Sequence, residues 1–291
     1  MRRPLLVLIV AVGLSGCRSG EAFTPSSPTP TSGPTPGPGA PPPPAIASVQ
    51  GVVVDSAYRP IAGADVAVAD GPHIGLATVT DSTGSFSFTT PIEPGTQFRA
   101  TAVDHVPGTT VVPPRCPTCG VTSYISFYLA RTVPAVSIAG EYTLTVTAEP
   151  SCRLPDEART RSYAATIAPS ADTYTPPGTS YLLTLSGVSF FPDYHITRIG
   201  VAGDAVSIVM GDHGPALVEQ LNSSNFISYE GMASGSAGNA PVTVMELAFN
   251  GSVEHCESPG GMARPYYLCE PPAATRSRCQ STAHRVVLTR R

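Results

Sequence analysis

The sequence contains no lysine and no tryptophan in 291 residues. Without lysine there is no Schiff-base amine and no ammonium for a phosphate loop, which excludes several enzyme classes. Without tryptophan the broadest stacking face for a sugar ring is missing, and tyrosine must stand in for it. Charge is sparse as well. Only 13% of residues are charged, 17 arginines against 21 acids, for a net −4. A mildly acidic chain with no basic run is a poor partner for nucleic acid, whose phosphates demand clustered cations. No segment carries a long amphipathic helical period. The 32 prolines and 27 glycines instead favour β structure with many turns, plus one disordered stretch.

The N-terminus reads as delivery. Arg2 and Arg3 precede an apolar core from Leu5 to Val12, and Leu14-Ser15-Gly16-Cys17 follows. That core is too short to span a bilayer and fits the apolar region of a signal peptide, residues 1–17. The Leu14-to-Cys17 ending resembles the bacterial lipobox. The resemblance implies cleavage before Cys17, a diacylglycerol thioether on its sulfur and acylation of the new amine. Arg18 is not the aspartate that marks inner-membrane retention in that class. The resemblance therefore points to the outer membrane, on its periplasmic or surface face, with a lipid-anchored protein as the product. Residues 18–45 form a tether: ten of the 21 residues from Thr24 to Pro44 are proline. Such a segment buries too little apolar area to offset its chain entropy and stays extended, near polyproline II.

From residue 46 to 133 short β-branched runs alternate with turns every eight to twelve positions, the spacing of a small antiparallel sandwich. Strands are expected at 47–54, 63–70, 76–80, 85–90, 96–104, 109–113 and 121–130. Ala64, Val66 and Val68 share one face by the two-residue period, as do Phe86 and Phe88. Tyr58-Arg59-Pro60 and Ser82-Thr83-Gly84 read as turns, with Gly84 free to take positive φ. Two motifs, Gly51-Val52-Val53-Val54-Asp55 with Pro60-Ile61-Ala62-Gly63-Ala64-Asp65-Val66, and Thr80-Asp81-Ser82-Thr83-Gly84-Ser85-Phe86, resemble the carboxypeptidase regulatory-like family. That family implies a seven-stranded, transthyretin-like (immunoglobulin-like) sandwich of the carbohydrate-binding-like group, with no catalytic residues. Arg59 departs from its pattern, which usually has Gly before this Pro, as does the Cys116-to-Cys119 insert. Asp55 and Asp81 read as turn-capping acids rather than calcium ligands.

Residues 136–291 form a second antiparallel β domain. Tyr142, Leu144 and Val146 alternate with Thr143, Thr145 and Thr147. Similar runs at 163–168, 181–186, 196–201, 206–210, 226–232, 242–251 and 284–289 bring the count to eight, an up-and-down barrel or a second sandwich. A closed eight-stranded barrel has room for one small ligand. Besides Cys17 there are six cysteines, an even number that in an exported chain implies three disulfides, with fifteen connectivities. If the sheet closes, its first and last strands are neighbours. Cys152 after the one and Cys279 before the other then pair, Cys256 pairs with Cys269 across Gly260-Gly261, and Cys116 with Cys119. The Cys116-Pro117-Thr118-Cys119 spacing also fits a redox dithiol or half a zinc site.

The sequence assembles no catalytic pattern. His73, His105, His195, His213, His255 and His284 are scattered. Asp212-His213 is flanked by glycine and reads as a turn. Gly235-Ser236-Ala237-Gly238 falls short of a nucleophile elbow. Asp156-Glu157 with Arg153, Arg159 and Arg161 reads as a solvated ion cluster in a loop. The expectation is a non-enzymatic, surface-displayed lipoprotein with no cofactor and no metal, acting as a structural or interaction module. Its partners are the membrane, through the lipid anchor, and a glycan, small ligand or envelope protein. The alternatives are ligand binding, either carbohydrate in the first domain or a small apolar ligand in the barrel, and more remotely a hydrolase accessory. Tyr58, Tyr124, Tyr128, Tyr266 and Tyr267 are the candidate stacking residues.

Overall fold

In the computed structural model, residues 48–113, 122–171, 175–190, 196–211, 217–257 and 274–291 are described. Cys17 and its signal, the tether, Cys116, Cys119, Cys269, His195, Asp212-His213, Gly260-Gly261, Tyr266 and Tyr267 lie outside them. Seven strands come first: β1 (Ser48–Asp55), β2 (Asp65–Val68), β3 (Ala77–Val79), β4 (Ser85–Phe88), β5 (Gln97–Thr101), β6 (Gly108–Val111) and β7 (Thr122–Leu129). They make two sheets, ordered β4-β1-β7 and β3-β2-β5-β6. The first and last strands, β1 and β7, run parallel, from Ser48 opposite Thr122 to Asp55 opposite Leu129. Alternation decides which side chains meet between the sheets. Val49, Val53, Phe86, Phe88, Ile125 and Phe127 from one sheet, and Val66, Val68, Phe98 and Ala100 from the other, form one buried cluster. Each large side chain so buried stabilises the sandwich by about 1.5–3 kcal/mol.

The two acidic turns behave as caps. Asp55 is buried, and its Oδ1 accepts from the Ala57 and Arg59 amides at 2.8 and 3.0 Å. Its Oδ2 accepts from Arg59 Nε at 2.7 Å, so the unusual arginine clamps the turn acid beneath it. Asp81 Oδ1 accepts from the Thr83 and Ser85 amides and the Thr83 hydroxyl, at 2.8, 3.0 and 2.7 Å. Gly84 closes that turn at φ +74°.

The remaining elements are β8 (Gly140–Thr147), α1 (Asp156–Arg159), β9 (Thr160–Pro169), β10 (Ser180–Ser186), β11 (Ile196–Ala202), β12 (Ala205–Met210), β13 (Leu217–Gln220), β14 (Asn225–Ser236), β15 (Val244–Glu257) and β16 (Ala274–Arg290). Eight of the strands close a barrel in the order β8-β9-β10-β11-β12-β14-β15-β16, with β16 back on β8. Every neighbour is antiparallel. Tyr142, Leu144, Ile167, Leu183, Ile199, Ile208, Phe249 and Leu288 are buried among the side chains that fill it. An eight-stranded barrel is just wide enough for such a filling, so a small apolar ligand would have to displace it.

Strand β14 changes partner midway: Phe226–Tyr229 pair with β13, and Gly231–Ser236 with β12. At the switch Gly231 has φ +142°, and a Cβ there would run into the Asn250 carbonyl. Across the ladder its partner Gly251 has no room for a Cβ beside the Glu230 carbonyl. Paired glycines let the two backbones approach and bend, as closure of a small barrel requires.

Candidate functional site

A cleft of about 400 Å³ opens where β6 and β7, the edge strands of the two sandwich sheets, approach the barrel. Its walls include Tyr58, Tyr124, Ser126 and Tyr128 from the sandwich and Thr175 and Arg198 from the barrel. Tyr124, Ser126 and Tyr128 share one face of β7, so the two tyrosines stand roughly 13 Å apart along the strand. The ring of Tyr58 meets that of Tyr128 edge-on, with centroids 6.0 Å apart, while Tyr124 is 60% exposed. Thr175 is buried, and its hydroxyl has no hydrogen-bond partner among the described residues.

The cleft is held open by a close-fitting seam. The Ser56 hydroxyl donates to the Val201 carbonyl at 2.6 Å. Ala57 packs on Ala202 and Ala205, and the Val136 amide donates to the Gly203 carbonyl at 2.8 Å. Gly200 lies against this contact, where a Cβ would stand 2.8 Å from Tyr58 Cε2. Of the five tyrosines singled out in the sequence, the structure brings Tyr58, Tyr124 and Tyr128 together. The other two lie outside the described residues.

A second cluster crosses the barrel interior. Arg161 forks onto Glu219: Nε is 2.8 Å from Oε2, and Nη2 reaches Oε1. The Tyr163 hydroxyl lies 2.9 Å from Glu219 Oε2 and 3.0 Å from the Tyr229 hydroxyl. A phenol has one proton and a carboxylate only accepts, so Tyr163 donates to Glu219 and Tyr229 donates to Tyr163. Strands β9 and β14, which carry the two phenols, are four steps apart around the ring of eight and so face each other across it. Burial, reinforced by the neighbouring phenol and carboxylate, pushes the Tyr163 phenol far above its ordinary range. Burial does the same to Tyr229. The Glu219 fork raises Arg161. The carboxylate is 2% exposed and both its oxygens are engaged, so the cluster is a strut across the barrel rather than an open site.

This corrects the solvated-cluster reading of Arg161. The local sequence is polar, but the two-residue period from Tyr163 turns Arg161 into the barrel. Arg159 does lie at the surface, 3.4 Å from an exposed Asp156, on a one-turn helix rather than a loop. Glu219 escaped the sequence reading because β13 has only four residues and no apolar alternation.

The bridge between Cys152 and Cys279 is present, with Cα atoms 5.6 Å apart. Cys256 is also disulfide-bonded, while Cys116, Cys119 and Cys269 lie outside the described residues. His284 sits beside the Cys152 bridge, close enough for the three side chains to surround a metal. The two sulfurs are spent on each other, however. The His284 ring is spoken for too: Nδ1 accepts from the Glu149 amide at 2.9 Å, and Nε2 faces the Cys279 carbonyl at 3.3 Å. This corner is a brace.

No protein-family model matches the chain, and no curated protein does. Seven solved chains match in structure. One is a streptococcal ancillary pilin, 11% identical, with 67% of this chain covered and a TM-score of 0.21. The match spans 60% of the pilin's length, an overlay too poor to carry fold or function across. Among the described residues no helix is long and apolar enough to cross a membrane.

Proposed function

We propose that the chain is a lipid-anchored outer-membrane protein that displays a non-enzymatic sandwich and barrel on a proline-rich stalk, as a structural or interaction module. The observation that carries this is the run of Arg2-Arg3, the apolar Leu5–Val12 and Leu14-Ser15-Gly16-Cys17. Two or three acyl chains, at about 0.8 kcal/mol per buried methylene, anchor firmly where one would not. The Cys152–Cys279 disulfide supports an oxidising compartment outside the cytoplasm. The seven strands of the first domain, arranged three plus four in two sheets, support its kinship with the carboxypeptidase regulatory-like sandwich. Cys17→Ser is expected to abolish incorporation of a fatty-acid probe and to move the protein out of the membrane fraction. Equal labelling of wild type and variant would overturn the anchor. The seam cleft favours a second reading, in which the displayed module binds a ligand.

A further inference from the structure

We infer that the seam cleft holds an uncharged oligosaccharide, stacked on Tyr124 and oriented by hydroxyl contacts from the other lining residues; this rests on the ligand-binding reading of the cleft. Three features of the cleft point to this class. Its volume of about 400 Å³ falls within the range of small-molecule sites. Aromatic and hydroxyl side chains alternate along one strand, as Tyr124, Ser126 and Tyr128, and Tyr58, Thr110 and Thr175 add to the lining. A sugar ring presents the matching surface, a patch of C–H bonds on its face and hydroxyls round its rim. Only one lining residue, Arg198, is charged, which suits neither a polycation nor a densely anionic polymer.

The arrangement is built rather than incidental. Tyr124 is 60% exposed although it lies within an eight-residue strand, two residues in from its start. Tyr58, at φ +60°, adopts a left-handed backbone uncommon for a bulky residue, and the seam at Gly200 leaves no room for a side chain beneath it. Thr175 lines the cleft, its hydroxyl is buried without a partner among the described residues, and such a group ordinarily finds one. A saccharide hydroxyl reaching it through a small side-chain shift would complete it.

The test uses the full chain purified in detergent, with cellotetraose, maltotetraose, chitotetraose and the anionic tetragalacturonate as probes, followed by saturation-transfer NMR and calorimetry. At least one neutral tetrasaccharide is expected to bind. Tyr124→Ala should weaken that binding about tenfold, the loss expected for one stacking face, with the melting temperature unchanged because the ring is exposed. Tyr124→Phe should keep most of it. Binding of tetragalacturonate alone, lost in Tyr124→Ala, would overturn the uncharged class while leaving the cleft a ligand site. Absence of binding by all four probes, or binding indifferent to Tyr124→Ala, would overturn the cleft as a site as well.

Discussion

At the scale of single residues, the turn acids hold the sandwich in register. Asp81 gathers two amides and a hydroxyl around one carboxylate oxygen, and the Thr83 hydroxyl, then the Ser85 and Thr83 amides, hold its carboxyl below the ordinary value of 3.8. Because the folded value is depressed, its contribution is fully present above pH 3.8 and is lost as the pH falls through the lower folded value. Asp81→Asn is therefore expected to lower the melting temperature at pH 7 and to lower it less at pH 2, toward which the wild-type acid takes up its proton. An equal loss at both values would mean that the variant disturbs the turn through shape instead of charge. Asp81 and Asp55 were legible as caps because each follows a β-branched run and opens a turn, with no dense oxygen-donor spacing around it to hold calcium. Arg59 was legible only as a departure from a family pattern. That it clamps Asp55 depends on a side-chain path that spacing does not encode.

At the scale of elements, legibility followed burial on one face. Strands β1, β2, β4, β5 and β7 were recognisable because alternate positions are apolar and buried, as in the buried Phe86 and Phe88 beside Ser85 and Ser87. The short β3 and β6 bury no residue and were marked by β-branched residues between turns. The same rule found the eight barrel strands but cut β15 and β16 short. Their remote halves hold Ser252, Glu254 and His255, and Arg278, Gln280 and Ser281, where alternation disappears although the ladder continues. The strut on β9, β13 and β14 was illegible because its charged members, Arg161 and Glu219, look like surface residues. Its energetics follow from burial. Glu219→Ala leaves a charged Arg161, about a quarter exposed, facing an apolar interior, and is expected to cost about 3 kcal/mol. The double replacement Arg161→Met with Glu219→Leu removes both charges and should restore most of that loss. Tyr229→Phe deletes one hydrogen bond and should cost about 1 kcal/mol. Urea unfolding of the four proteins measures all three, and a double variant no better than Glu219→Ala would show that the strut acts through its geometry.

At the scale of the molecule, the described residues hold one large hydrophobic cluster between the sandwich sheets and another in the barrel, joined at a small seam of Ser56, Ala57, Ala202 and Ala205. With its own core, the segment 46–133 is expected to fold alone, as a cooperative melt and dispersed NMR spectrum would show, though at this size only modestly stably. The barrel depends on closure. Its strands β8 and β16 pair from Arg290 opposite Tyr142 to Arg285 opposite Thr147, and beyond that ladder the Cys152–Cys279 bridge fastens the two segments together. The bridge spans 127 residues of sequence, so loop-closure entropy alone gives about 5 kcal/mol. That is a large share of the about 5–15 kcal/mol by which a typical domain is stable. Replacing both cysteines by alanine should therefore loosen the barrel selectively. Hydrogen exchange should accelerate in peptides from β8 and β16, while those from β1 and β7, whose core does not touch the bridge, keep their protection. Equal acceleration in β1 and β7 would mean that the seam, small as it is, makes sandwich and barrel one cooperative unit. Unchanged exchange everywhere would mean that the β8–β16 ladder closes the barrel without its brace.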